Sequence, residues 1–593
     1  CPRAEVDQIT QICNQTYDKF SSVLEAIQKH LSLYRHVCLY VFYFCVILTL
    51  NSCVTTTNSN LGSSPLAISN AGSYLKGRVA YNNHDLKNAV LSFRSALKKN
   101  PNDNLLQRRS FIAELESGNL KQAIELAELA SKQQKSSLFM KLVIGLQKAK
   151  QTKWDQALEN FGEMEASQIN EVLKPLLHGW SYLAKKDFVN ARQSFLGLQK
   201  KRGFELLSLL HTALAFQNHD STATLDKLLD QAIKQAQQPP ARLLLATANY
   251  YHKTGRTNKA NYFLKKIKSD EYNLELLRTI LKDPSGPGLS EVDVDLPADG
   301  IAEALFDLAT ALRDDYKNHA SLIFVRLAIY MRPNFTSAQI LLGELLEERS
   351  KYRQAIQEFG KISEKSIFYQ MAQFRLSRTL RQFNKPYAAI RIIEGLQRLQ
   401  PMHPENFIRL GDIHRSQKNW DEAIAAYNTA INLASENKKT DWILYYSRGV
   451  AFEQSKKWDL AEADFIKALE LSPDQPFVMN YLGYAWTEQG INLTKAEKLI
   501  RKAANLRPKD GYITDSLGWI LYQTARFAEA VPILERAVRL RPNDAIINDH
   551  LGDAYWKVER HLEAVYQWRR AITMNPDAEL KEKIEKKLSF GLK

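Results

Sequence analysis

The chain has 593 residues, of which 45% are apolar and 24% charged, with only 24 glycines and 19 prolines. That is an ordinary soluble composition, rich in helix formers, with few stretches that alternate as half-buried strands do. The formal net charge of +15 is spread thinly. No block of Lys and Arg interleaved with aromatics is present to track a phosphate backbone, so a nucleic-acid partner is not expected.

The amino-terminal stretch reads as targeting rather than folding. The chain begins at Cys1 without methionine, and its first 30 residues look like an upstream extension. Arg35 and His36 then precede an apolar run from Val37 to Leu50. Fourteen residues are short for a membrane-spanning helix, which needs about 20. They suit the apolar core of a secretory signal. The run ends in Leu50-Asn51-Ser52-Cys53, which resembles the lipobox of bacterial lipoproteins. That resemblance implies lipidation of Cys53, with a palmitate-type acyl anchor, and cleavage before it. Val54 follows where an aspartate would favour inner-membrane retention, so outer-membrane sorting toward the periplasm is implied. The alternatives are an uncleaved anchor helix or attachment to the cytoplasmic membrane. All five cysteines (Cys1, Cys13, Cys38, Cys45 and Cys53) lie in this stretch, and none follows. A chain exported to an oxidising space gains by avoiding stray thiols. Residues 1–53 are thus expected to be extension plus signal, and 54–69 a flexible tether.

Repeats begin near residue 70. Ala89, Ala123, Ala157 and Ala191 are 34 residues apart. Glycines lie twelve positions earlier at Gly77, Gly145 and Gly179, with Phe111 in place of one. Bulky residues lie four positions later at Phe93, Phe161 and Phe195, with Ala127 as the exception. Helices approach closely only where contact residues are small, and a bulky neighbour fills the space beside them. This pattern resembles the tetratricopeptide repeat (TPR) family. The resemblance implies an all-α fold, a right-handed superhelical solenoid of about 13–14 antiparallel helix pairs with a concave groove. The frame weakens over 206–240, where Ala213 and Leu225 hold the matching positions, and recovers at Ala248, Ala260 and Leu264. The stretch 283–300 (DPSGPGLSEVDVDLPADG) is read as a linker or exposed loop. It separates a degenerate array (70–282) from a regular one (301–576).

After a divergent pair at 301–333, the second array carries Gly343/Ala355/Phe359 and Ser377/Ala389/Ile393, then Gly411/Ala423/Tyr427 and Gly449/Ala461/Phe465. Gly483/Ala496/Ile500, Gly518/Ala530/Leu534 and Gly552/Ala564/Trp568 complete it. Pro473, Pro508, Pro542 and Pro576 mark the ends of second helices. The wider step from Ala423 to Ala461 predicts a longer loop near ENKKTD. Residues 577–593 read as a capping helix.

In the TPR family the first helix of each repeat lines the groove. The matching positions here are Phe477, Asn480, Tyr484 and Glu488; Tyr512, Asp515, Trp519 and Tyr522; and Asp549, Asp553, Trp556 and Lys557. They describe an aromatic and acidic surface suited to a protein or extended peptide carrying basic residues. The same aromatics could instead pack between repeats, and Asp515 and Asp549 could be solvated or capping. Trp420, Trp442, Trp458 and Trp568 are expected in the core. No HExxH, GxSxG or GxxxxGK[ST] motif occurs, so neither metal, nucleotide cofactor nor catalysis is expected. His550 and His561 fall in one repeat and read as surface or local hydrogen-bonding residues. The leading expectation is a non-enzymatic, lipid-anchored scaffold assisting assembly of an envelope complex. The alternative is a glycan-handling accessory for polysaccharide export or cell-wall enzyme control.

Overall fold

A computed structural model describes residues 70–592, except 133–136, 165–166, 202, 237, 268–290, 315–317 and 437–440. The expected signal, Cys53 and tether lie outside the described residues, as do most of the loop near ENKKTD and the first part of the 283–300 segment. Among the described residues no helix is long and apolar enough to cross a membrane.

Six helix pairs come first: α1 (Asn70–Asn82) with α2 (Leu86–Lys99), α3 (Asn104–Ser117) with α4 (Leu120–Lys132), α5 (Leu138–Lys150) with α6 (Trp154–Gly162), α7 (Gln168–Ala184) with α8 (Phe188–Gly197), α9 (Glu205–Phe216) with α10 (Thr222–Gln235), and α11 (Ala241–Lys253) with α12 (Thr257–Leu264). A long pair follows, α13 (Pro297–Asp314) and α14 (Asn318–Met331). Seven more complete the stack: α15 (Thr336–Glu348) with α16 (Tyr352–Phe359), α17 (Tyr369–Gln382) with α18 (Pro386–Leu399), α19 (Pro404–Ser416) with α20 (Trp420–Glu436), α21 (Trp442–Gln454) with α22 (Trp458–Leu471), α23 (Pro476–Glu488) with α24 (Leu493–Leu506), α25 (Gly511–Gln523) with α26 (Phe527–Leu540), and α27 (Ala545–Lys557) with α28 (His561–Thr573). A single helix, α29 (Ala578–Phe590), ends the chain. The fold is an all-α solenoid of stacked helix pairs.

The spacing of small and bulky residues has a direct steric cause. A Cβ added at Gly145, Gly179, Gly343, Gly518 or Gly552 would lie 2.4–2.5 Å from Phe161, Phe195, Phe359, Leu534 or Trp568 respectively. The second helix therefore presses its bulky side chain onto the bare backbone of the first. The alanines Ala423, Ala461, Ala496, Ala530 and Ala564 are fully buried. Where Phe111 replaces glycine, Ala127 replaces the bulky residue, and both are fully buried. The volume is kept, with the bulk moved to the opposite helix.

Turns between the two helices of a pair impose a second period. A residue one or two positions past the first helix adopts left-handed backbone at His84, Gly118, Thr152, Lys186, Gly255, Ser350, Asn384, Lys418, Lys456, Gly490, Ala525 and Glu559. Glycine is the usual occupant of this position, yet only three of these are glycine. Between repeats, aspartates cap the next first helix: Asp510 accepts from the amides of Tyr512 and Ile513, and Asp544 from those of Ile546 and Ile547. An arginine of each following second helix donates to the proline carbonyl in that loop, Arg536 to Pro508 and Arg570 to Pro542.

The expectation of an exposed linker fails for its described part. Val292, Asp293 and Val294 are buried, and α13 starts at Pro297. Arg242 Nη2 donates to the Val292 carbonyl, Gln217 Nε2 to the Val294 carbonyl, and Asn249 and Lys253 bond Asp293. The α13–α14 pair then lies on the face formed by the first helices of the opening pairs. His319 Nδ1 is 2.8 Å from Glu116 on α3, and the Phe139 ring of α5 meets Phe324. Trp180 of α7 covers Gly300, where a Cβ would be 2.2 Å from the indole. The Trp180 indole N–H donates to His211 Nδ1, so the proton of that ring belongs on Nε2, which faces Asp307 at 3.1 Å. Arg242 of α11 grips the buried Glu303 carboxylate with two N–H groups. One continuous apolar core consequently runs from Phe111 to Ile413 and takes in Val292 and Val294. The polar, Pro/Gly-rich composition misleads because the Asp293 carboxylate is paired by Asn249 and Lys253, and the Val292 and Val294 carbonyls by Arg242 and Gln217.

Two outcomes follow. Gly300→Leu should weaken docking of α13 and α14 by about 2–3 kcal/mol through overpacking against Trp180; amide exchange should quicken there while α27 and α28 keep their protection. Ala525→Gly should raise stability by about 0.5–1 kcal/mol by relieving left-handed backbone at φ 59°, read as a higher urea midpoint.

Candidate functional site

With the first helices of the opening pairs covered by residues 291–331, the groove positions of the last three repeats remain as the candidate site. They divide into an open and a closed part. Phe477 and Tyr512 open the first helices α23 and α25 and are 42% and 50% exposed. An arginine from the end of the following second helix lies over each ring, Arg507 at 5.4 Å and Arg541 at 4.7 Å from the ring centres. Asn480 is half-buried, and its side-chain oxygen is buried without a hydrogen-bond donor among the described residues. Tyr484 is half-buried; burial, then Glu488 and Asp515, push its hydroxyl pKa up. Glu488 is exposed and accepts from the Trp519 indole.

The remaining residues turn inward. Trp519 is nearly buried, stacked between Tyr522 at 4.8 Å and His550 at 3.9 Å. Asp515 is buried and both its oxygens lie 3.0–3.1 Å from His550 Nδ1. Asp549 and Asp553 are buried one turn apart on α27 and share the ammonium of Lys587 from α29, at 2.7–2.9 Å. Asp553 also accepts from the Trp568 indole at 3.0 Å. Trp556 packs beside Trp568 and donates to the Leu592 carbonyl, so the tail covers it. Lys557 is half-buried beside this tail-covered end.

The aromatic character of the predicted groove is thus kept at Phe477, Tyr484 and Tyr512, while its acidic character is not presented to solvent at Asp515, Asp549 or Asp553. His550, read as a surface or local residue, is buried and central. Of the four tryptophans placed in the core, Trp568 is fully buried, whereas Trp420, Trp442 and Trp458 are half-buried against it. Among the described residues no cluster of His, Cys, Asp and Glu is arranged to hold a metal.

Family profiles for the tetratricopeptide repeat match residues 404–437, 444–475 and 516–579. Those stretches carry tetratricopeptide repeats, and with the all-α solenoid of stacked helix pairs they support a protein- or peptide-interaction scaffold of TPR type. It is 29% identical over 198 residues to the TPR repeat-containing protein PA4667 of Pseudomonas aeruginosa, covering 33% of this chain and 32% of that one. It is 30% identical over 114 residues to the uncharacterized protein ycf37 of Guillardia theta, covering 19% of this chain and 64% of that one. The matched region therefore spans about a third of the first relative and under two thirds of the second. Among solved structures it is similar to the APC/C hetero-tetramer Cut9–Hcn1, with 16% identity, 89% of this chain and 99% of that chain covered, and a TM-score of 0.38. It is also similar to YrrB, a TPR protein with an unusual peptide-binding site, with 20% identity, 33% and 97% covered, and a TM-score of 0.26.

The buried charge cluster sets a pH dependence. Burial alone would lower His550, but Asp515, Asp549 and Asp553 raise it above 6.5. Burial and the charge of Asp549 push Asp553 up to about 6, against the pull of Lys587. Both groups hold their proton more tightly folded than unfolded, so both stabilise most at low pH. Asp553's contribution is lost as pH rises through about 6 and that of His550 above 6.5. Exchange protection of α25 and α27 should fall as pH rises from about 4 to about 8, by on the order of 1 kcal/mol. His550→Gln combined with Asp553→Asn should flatten that slope relative to the parent.

Proposed function

We propose that the chain is a non-enzymatic scaffold, lipid-anchored through Cys53, that holds partner proteins at the outer membrane of a bacterial envelope and assists assembly of a membrane or cell-wall complex. The observation that carries the binding reading is the pair of exposed aromatics, Phe477 and Tyr512, at the same position of successive first helices. Rigid aromatic rings supply contact area to an extended peptide at low entropic cost. The anchor rests on the sequence Leu50-Asn51-Ser52-Cys53 after an apolar run, and on the confinement of cysteine to that end. Aromatics could stack on sugar rings, but nothing in the arrangement favours a glycan over a peptide.

In a pull-down from envelope extract, Phe477→Ala with Tyr512→Ala should lower recovery of specific partners at least tenfold, the loss expected of about 1–2 kcal/mol per anchor. Recovery equal to the parent would remove the groove reading. Labelled palmitate should enter the parent chain and not the Cys53→Ser chain; an unlabelled parent would remove the anchor.

A further inference from the structure

Asp549 and Asp553 make an unusual demand. The two carboxylates are one turn apart on one helix, each more than nine-tenths buried, and face the same ammonium. Without Lys587 they would be like charges held together away from water, a state that like-charge repulsion and desolvation both oppose. The pocket therefore requires a cation. It is also shaped for one on an alkyl stem, because Trp568 lies 6.0 Å from the ammonium and Trp556 closes the neighbouring side.

The element that supplies the cation is held at few points. Helix α29 buries Ile584 fully and half-buries Leu580, Lys587 and Leu588. Its other face carries exposed ion pairs Glu579–Lys583 and Glu582–Lys586. The tail turns at Gly591 with φ 72°, where a Cβ would strike Trp556 at 2.4 Å. A helix of thirteen residues is marginal in water when undocked. Docking thus rests on Ile584, the partly buried Leu580, Leu588 and Leu592, one lysine and a glycine turn.

We propose that Asp549 and Asp553, walled by Trp556 and Trp568, form a lysine-binding subsite for an amphipathic basic helix of a partner, and that α29 is a built-in occupant which must leave before the partner binds. The partner segment would present an apolar residue and a lysine three positions later, as Ile584 and Lys587 do. The reading of the repeats as a protein-binding groove supplies the partner; the pocket itself rests on the geometry of α27 and α29.

The probe is a labelled synthetic peptide of residues 577–593, titrated onto full-length chains. The parent should bind it at least tenfold more weakly than a chain carrying Lys587→Glu with Ile584→Asp, in which the native helix is released. Adding Asp549→Asn, Asp553→Asn, or both, to the released chain should cost the peptide at least tenfold, and so should Lys587→Gln within the peptide. Amide exchange over 578–590 should quicken in the released chain while α25 to α28 stay protected. Equal binding by parent and released chains, indifference to the Asp variants, or unchanged protection of 578–590 would each overturn the proposal. Failure of the groove reading shows separately, as partner recovery indifferent to Phe477→Ala and Tyr512→Ala, and leaves the peptide titration unaffected.

Discussion

The contact between a glycine on the first helix of a pair and a bulky side chain on the second governs the rest of this molecule. It sets how closely the two helices approach, and every later repeat inherits that distance by stacking on the one before. At Gly552 the partner is the Trp568 indole and at Gly483 it is Ile500, so ring and aliphatic chain serve equally once backbone is bare. The requirement is for volume in a fixed place, not for an identity. That is why the Phe111/Ala127 repeat, inverted in sequence, stays buried like its neighbours. It also explains why the positions of Gly411, Gly449 and Gly518 could be recognised from spacing alone.

What spacing did not reveal was the destination of polar residues. Two of the expected groove acids, Asp515 and Asp549, each meet a base on the next helix of that face, and Glu347 and Glu344, which the sequence reading did not single out, do the same. Asp515 meets His550, Asp549 meets Lys587, Glu347 meets Arg378 and Glu344 meets Arg375. The partners stand 31 to 38 residues later, roughly one period on. A carboxylate followed one repeat later by a base is visible in the sequence as a rung between adjacent first helices. Such a rung removes charge from the groove surface while keeping the aromatics, whose exposure at Phe477 and Tyr512 follows from their place at the start of each helix.

The segment around 291–331 was hidden for a different reason. The composition of its first ten residues is that of a loop, and local composition reports how a stretch behaves in water. Here Glu303, Asp293 and Asp307 find Arg242, Lys253 and His211 from helices 40 to 96 residues earlier. Pairings at such separation leave no periodic trace. Helix content over α13 and α14 was legible, whereas their seat on the face of α3 to α11 was not.

These two forms of self-occupation divide the solenoid by role. The opening repeats spend their first-helix face on the chain itself, through a seat with Trp180 and Phe324 fully buried. Releasing it would open an extensive core, so this seat behaves as architecture. The last repeats cover only one end of their face, with a short helix that fully buries a single apolar residue, Ile584. The free energy separating covered from uncovered is far smaller there, because it scales with the apolar area exposed and the number of buried charges left unpaired. An exchange of an intrachain contact for a partner contact therefore costs least at the carboxy-terminal end of the stack.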